Sequence, residues 1–244
     1  NVAGPMTVLN VIVAETLRTL AKDIEKEISA GKEKKIAIVN VLRKYIKDSK
    51  KIRFEGDGYS EEWEKEAAKR GLSNKKSTPE ALDIYHDKKT ADLFNRHAVL
   101  NPKELHARHE IMLENYIKKV QIESRVMGDL ALNHIIPTAI QYQNKLIENA
   151  NGLKGLGLDN KAAIETIKEI SKHLESLKLN VHAMIEERKR LNKVEDVAER
   201  AKGYSSAVKD AFFEKIRYAV DKLELLVDDE FWPLVKYREM LFIK

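Results

Sequence analysis

Apolar residues recur along most of this chain at intervals of three and four, the spacing that gathers them on one side of a helix. Val8, Leu9, Ile12, Val13, Leu17, Leu20, Ala21, Ile24 and Ile28 predict a first helix, with Pro5 as its opening residue and Gly31 at its end. Its first turns are apolar all round, which predicts deep burial of that end, against a part of the protein absent from this sequence. Ile38, Val39, Leu42, Tyr45 and Ile46 predict a second helix that dissolves into the turn EGDGY at 55–59. Ser60 is placed to cap a short helix carrying Trp63 and Ala67 and stopping at Gly71. Thr78-Pro79 opens another helix with Ala81, Leu82 and Tyr85. Asn101-Pro102-Lys103-Glu104 opens a long one with a near capping box, running to about residue 149, and Pro137 should kink or break it.

The clearest pattern follows a predicted loop at Gly152, Gly155 and Gly157. Ile167, Ile170, Leu174, Leu177, Val181, Met184, Arg188 and Leu191 alternate steps of three and four, a heptad with one charged interruption. A helix of about 30 residues is about 45 Å long. After Gly203, Phe212, Ile216, Ala219, Leu223 and Leu226 repeat the spacing until Trp232-Pro233 ends it. Long helices joined by short loops lie antiparallel, each hiding its stripe on the others. The expected fold class is therefore all-α: a bundle of long antiparallel helices with coiled-coil character. No repeat of fixed length appears, which excludes a solenoid.

Composition sharpens this only at the margins. Hydrophobic residues make up 43% and charged ones 34%, too apolar a mixture for wholesale disorder, and 10 Gly with 5 Pro leave room for long elements. The net charge of +5 comes from 44 basic and 39 acidic residues interleaved along the chain, so it bears on solubility more than on partner choice, and no nucleic-acid partner is expected. With zero cysteines there is no disulfide framework and no thiolate metal site, which is compatible with a cytoplasmic setting. The most apolar stretch, 8–14, is far short of the roughly 20 residues that span a bilayer. The chain starts at Asn1 without an initiator methionine and runs almost at once into a strong helix, and the expectation is that it is a piece of something longer.

Candidate chemistry is sparse. His106, His109 and Glu110 stand at i, i+3 and i+4 of one predicted helix, so their side chains can converge as metal ligands do. Their order matches none of the zinc hydrolase motifs, and exposed histidines among salt-bridging Glu and Arg are the commoner outcome of such spacing. The glycines of GLKGLGL at 152–158 follow no strand and lack the spacing of a phosphate loop. Asp57 in GDG belongs to a turn. The basic run RKYIKDSKKIR at 43–53 could touch a polyanion, but its apolar residues keep helical phase, as on a solvated helix face. No spacing suggests a nucleophile with its base. No catalytic, cofactor-binding or metal-binding residue is assigned.

Several long blocks nevertheless carry a resemblance. NVAGPMTVLNVIVAETL at the start, IRFEGDGYSEEWEKEAAKRGLSN, STPEALDIY, ELHARHEIMLENYIKKVQIESR, GDLALNHIIPTAIQYQNKLIEN and the closing VDKLELLVDDEFWPLVKYREMLF follow one another in the order seen in bacterial type III glutamine synthetases. The chain resembles the C-terminal region of that family over nearly its whole length, less sharply around 154–205. The resemblance implies a fragment of a larger α+β enzyme: residues 1–100 as the last helices of the catalytic domain, and 101–244 as a long-helix extension specific to the type III form. It further implies a parent that joins ammonia to glutamate through a γ-glutamyl phosphate, using ATP and Mg2+ or Mn2+. The metal carboxylates, catalytic arginines and nucleotide contacts would lie upstream, with only Asn1 to Met6 near the active site, and the fragment alone would be inactive. Its implied partners are the upstream catalytic domain and other subunits of a ring-shaped homo-oligomer.

Two rival readings accompany this one. The heptad surface would also suit an independent helical interaction module, and His106, His109 and Glu110 would suit a metal-binding bundle.

Overall fold

The computed structural model describes residues 2–241, with only the backbone of Tyr237 and Arg238. Asn1, the first residue of the stretch expected near an active site, and Phe242, the last of the closing family-like block, lie outside the described residues. Every regular element among those described is helical, and no strand is present, in keeping with the all-α expectation. They form two compact units that divide between Ile111 and Met112, within one long helix.

In the first unit, α1 (Ala3–Ser29) and α2 (Lys34–Asp48) are joined by a turn at Gly31, whose φ of 90° suits a residue without Cβ. Three short helices follow: α3 (Glu61–Lys69), α4 (Thr78–Leu82) and α5 (Lys88–Arg96), with a 3-10 turn at Asp83–His86. Each has a side-chain cap. Ser60 Oγ accepts from the Trp63 N–H at 3.2 Å, Ser77 Oγ from Glu80 at 3.4 Å, and Asp87 Oδ1 from Lys89 at 3.0 Å. Helix α4 opens at Thr78 as expected, with Ser77 as its cap, while Tyr85 falls in the 3-10 turn. Helix α5 is absent from the periodicity reading, because among its nine residues only Phe94 is buried.

Val11 of α1, Phe94 of α5 and Leu105 make this unit's small core, with Val8, Tyr85, Ala91, Leu93 and Leu100 around it. Within the described residues the first turns of α1 are largely uncovered. Val11 alone is buried there, while Met6, Leu9, Val13 and Leu17 are all more than half exposed. In α2 the inward face is Ala37 and Val41, whereas Val39, Leu42 and Ile46 face outward.

The second unit contains the heptads. Helix α6 (Pro102–Asp129) starts with the expected box: Glu104 N–H donates to Asn101 Oδ1 at 3.0 Å, and Asn101 N–H donates to Glu104 Oε2 at 2.8 Å. Pro137 does not break the helix. It cannot donate a hydrogen bond, and its ring would collide with the carbonyl four residues back, at Asn133. The backbone absorbs both effects by widening into a π turn over Leu130–Ile135, and then continues as α7 (Ile136–Gly155). Gly152 and Gly155 are therefore helical, and only Gly157, at φ 74°, serves the loop.

Helix α8 (Lys161–Leu191) runs back along this pair. Gln143 Nε2 donates to the Ile167 carbonyl at 3.0 Å, Asn160 Nδ2 to the Ala150 carbonyl at 3.0 Å, and Gln121 Nε2 to Asn192 Oδ1 at 2.8 Å, an antiparallel register. Helix α9 (Val197–Gly203) passes through a wide π stretch, Tyr204–Phe213, into α10 (Glu214–Leu226), again antiparallel to α8. This third helix starts well before Gly203. The wide turns allow the adjacent Tyr204 and Ser205 both to be buried.

Three stripes meet here: Leu113, Ile117, Val120, Ala131, Ile135 and Ala139; Ile170, Leu177, Val181, Met184 and Leu191; and Val208, Ile216, Ala219 and Leu223, each 4% exposed or less. The charged member, Arg188, is half-buried opposite Ser124, donating to its Oγ at 3.4 Å. At the same end, the fully buried Tyr204 donates its hydroxyl hydrogen to Asn192 Oδ1 at 2.6 Å and accepts from Gln121 Nε2 at 2.9 Å. Gly203 lies so close to Leu191 that a Cβ added there would sit 2.4 Å from Cδ2.

Position on the stripe should decide the effect of a substitution. Leu177→Ala, at a fully buried site, should reduce unfolding free energy by about 2–5 kcal/mol in denaturant titration. Leu179→Ala, two residues along at a side chain 64% exposed, should stay within about 0.5 kcal/mol of the parent chain.

Candidate functional site

Three places in the first unit concentrate polar chemistry. The first is a histidine cluster. The opening turns of α6 place His106 and His109 one helical turn apart on the same face, and the 3-10 turn Asp83–His86 brings in a third imidazole, His86. The ring centroids of His86 lie 5.8 Å from His106 and 5.9 Å from His109, and nitrogens of all three lie within 4.8 Å of one another. His106 and His86 are exposed, whereas His109 is 6% exposed and its Nε2 has no hydrogen-bond partner. Burial, followed by the neighbouring His86, holds the His109 pKa below that of a free imidazole and favours the neutral ring.

The sequence pattern identified two members of this cluster and missed the third. Glu110 is not among the convergent nitrogens, but its Oε1 lies 3.5 Å from His106 Nε2. His86 stands 20 residues before His106, outside any local motif, and its arrival depends on a turn that periodicity does not reveal.

The second place is the basic run. Lys47, Lys50, Lys51 and Arg53 line an open concavity together with Glu55 and Arg70. Arg70 is committed to building it: Nε donates to Glu66 Oε1 at 2.8 Å, Nη1 to the Arg53 carbonyl at 2.9 Å, and its guanidinium stands 5.4 Å from the Trp63 ring. Phe54 stacks on Trp63 at 4.1 Å. The lysines are exposed, as on a solvated face. Asp57 makes a turn, its Oδ1 accepting from the Tyr59 N–H at 2.9 Å.

The third place is the two-faced helix α1. At about 100° per residue, Val2, Met6, Leu9, Val13 and Leu17 form one stripe, and Val11 points the opposite way. Glu15 falls on the Val11 side and ties α1 to α5. Its carboxylate takes hydrogen bonds from Arg18 Nη2 at 2.6 Å and Arg96 Nη1 at 2.6 Å, and pairs with His97 Nε2 at 2.7 Å. Arg18 foremost, then His97 and Arg96, holds the Glu15 pKa well below the usual carboxylate range against the opposing effect of burial.

Among the described residues no helix is long and apolar enough to cross a membrane. Residues 37–154, from α2 to the end of α7, match the model of the glutamine synthetase C-terminal domain. A glutamine synthetase of Bacteroides fragilis is 43% identical over 250 aligned positions, covering 100% of this chain and 34% of that protein. A type-3 glutamine synthetase of Dictyostelium discoideum is 31% identical over 98% of this chain and 33% of its own length. A glutamine synthetase of Butyrivibrio fibrisolvens is 30% identical over 87% of this chain and 31% of its own length. The chain thus spans about a third of the length of the curated relatives it matches.

The Glu15 cluster predicts a specific acid response. A carboxylate depressed in the folded state contributes stability above its unfolded value of 4.5 and loses it as the pH falls below that. Glu15→Gln should lower the melting temperature at neutral pH, and the gap from the unmodified chain should narrow as the pH falls below 4.5. A gap that stays constant with pH would mean the cluster does not form.

Proposed function

This chain is a relative of the C-terminal region of glutamine synthetases, the type III form included, and on that basis we propose that it serves such a synthetase as scaffold and subunit-contact surface. The parent is a cytoplasmic, ring-shaped homo-oligomer that ligates ammonia to glutamate with ATP and Mg2+ or Mn2+, through a γ-glutamyl phosphate. The bond-making groups belong to its upstream part.

The observation that carries this reading is the stripe of α1. Val2, Met6, Leu9, Val13 and Leu17 are between 55% and 68% exposed, on a helix whose other face is held by Val11 and Glu15. Five large apolar side chains in line thus keep more than half of their surface open within the described residues. A neighbouring domain that covers them gains roughly 25 cal/mol for each Å2 of apolar surface withdrawn from water. In relatives about three times as long, the remaining two thirds supply a candidate cover.

The chemistry of the side chains points the same way. A magnesium–nucleotide site needs oxygen ligands converging on hard cations and a cradle for phosphates. Among the described residues the one convergent group of three ligand side chains is nitrogen-rich, and the glycines of 152–158 lie mostly in a helix. These residues do not fit ATP with its metals, and no step of the parent's reaction is derived from them. The second unit, with its three apolar stripes and the hydrogen bonds of the buried Tyr204, supplies rigidity, which is what a surface holding subunits in register requires.

The purified chain, assayed for γ-glutamyl transfer with Mg2+ or Mn2+, should give no turnover above buffer. Turnover that survives repurification would overturn the scaffold reading.

A further inference from the structure

We propose that His86, His106 and His109 form a site for a transition-metal dication, Zn2+ by donor preference, that fastens the Asp83–His86 turn to the first turns of α6. This inference is independent of the scaffold reading, since it concerns side chains within a single unit.

The geometry is that of a chelate built from two pieces of chain. The helical spacing of His106 and His109 fixes two imidazoles on one face, and the 3-10 turn delivers the third from across a fold of the backbone. Zinc binds imidazole nitrogen at about 2.0–2.1 Å, so tetrahedral ligand atoms stand about 3.3 Å apart. Nitrogens already within 4.8 Å reach that spacing by rotation of the two exposed rings, His86 and His106, about the buried one. The buried ring supplies the independent sign of a ligand. His109 is 6% exposed and its Nε2 is one of two buried side-chain polar atoms without a partner among the described residues. A buried nitrogen with no protein partner calls for something to satisfy it. A metal ion held with its two exposed neighbours does so.

Three imidazole nitrogens select the class of ion. Magnesium, calcium and manganese favour oxygen, whereas imidazole suits zinc, copper, nickel and cobalt. The fourth position falls to water or to the Glu110 carboxylate, 3.5 Å from His106 Nε2. Such an ion closes the loop of chain between 86 and 106, which carries α5 and its core residue Phe94. Its effect is therefore on the stability of this unit.

The test uses the 244-residue chain without an affinity tag, stripped with chelator, then titrated with Zn2+ by calorimetry and with Co2+ by visible absorption. The expected result is one saturable equivalent, the ligand-field bands of tetrahedral Co2+, and a melting temperature raised by about 5 °C or more at a hundredfold excess over Kd. Because His109 is buried, the diagnostic variants are His86→Ala and His106→Ala, at exposed positions where folding should survive and circular dichroism checks that it does. Each should weaken Zn2+ binding by more than the roughly 10–100-fold that a supporting group commands. His182→Ala, an exposed histidine on α8, should leave it unchanged. Absence of a single saturable site, or Zn2+ affinity retained in either His86→Ala or His106→Ala, overturns the proposal.

Discussion

Packing of apolar stripes between long helices is the interaction on which the second unit depends. Ile170, Leu177, Val181 and Met184 of α8 are fully buried, and a side chain of that size contributes roughly 1.5–3 kcal/mol on leaving water. Ion pairs such as Lys189–Glu186 and Arg217–Asp221 join exposed groups within one helix, where a pair contributes about 0.5 kcal/mol or less. The stripes therefore set the register, and polar groups adjust to it. Arg188, the one cation in the heptad, finds Ser124 rather than an acid. Tyr204 finds two amides that leave its hydroxyl satisfied as both donor and acceptor.

Where a residue conflicted with this packing, the backbone yielded and the stripe did not. Pro137 is itself exposed, but it falls in sequence between the buried Ile135 and Ala139, and breaking the helix there would have taken both out of the core. Six residues of wider turn accommodate the proline, and the stripe continues. The first unit lacks such an organiser. Its helices are short, its core is three residues with a fringe, and side-chain caps and the Glu15 cluster carry more of the order.

That contrast explains what the sequence disclosed. The heptad of α8 and the cap at Asn101 were legible because each is a local pattern with one physical solution. Helix α5 was not, since nine residues with one buried side chain make no period. The apolar start of α1 signals a covered end because hydrophobic residues surround the helix, but hydropathy does not identify the partner, and within the described residues most of that end is exposed. For the histidines the gap was topological: His106 and His109 are neighbours by helical spacing, but His86 joins them only after the 3-10 turn has formed.

The nearness of Gly203 to Leu191 works as a gauge between helices. A leucine methyl already occupies the place where any other residue would carry its first side-chain carbon. The pair thus reads as a single unit of volume shared by two positions, all of it held by one. Drift at either position is felt at the other: a larger group at 203 obliges the end of the Leu191 side chain to move or to shrink.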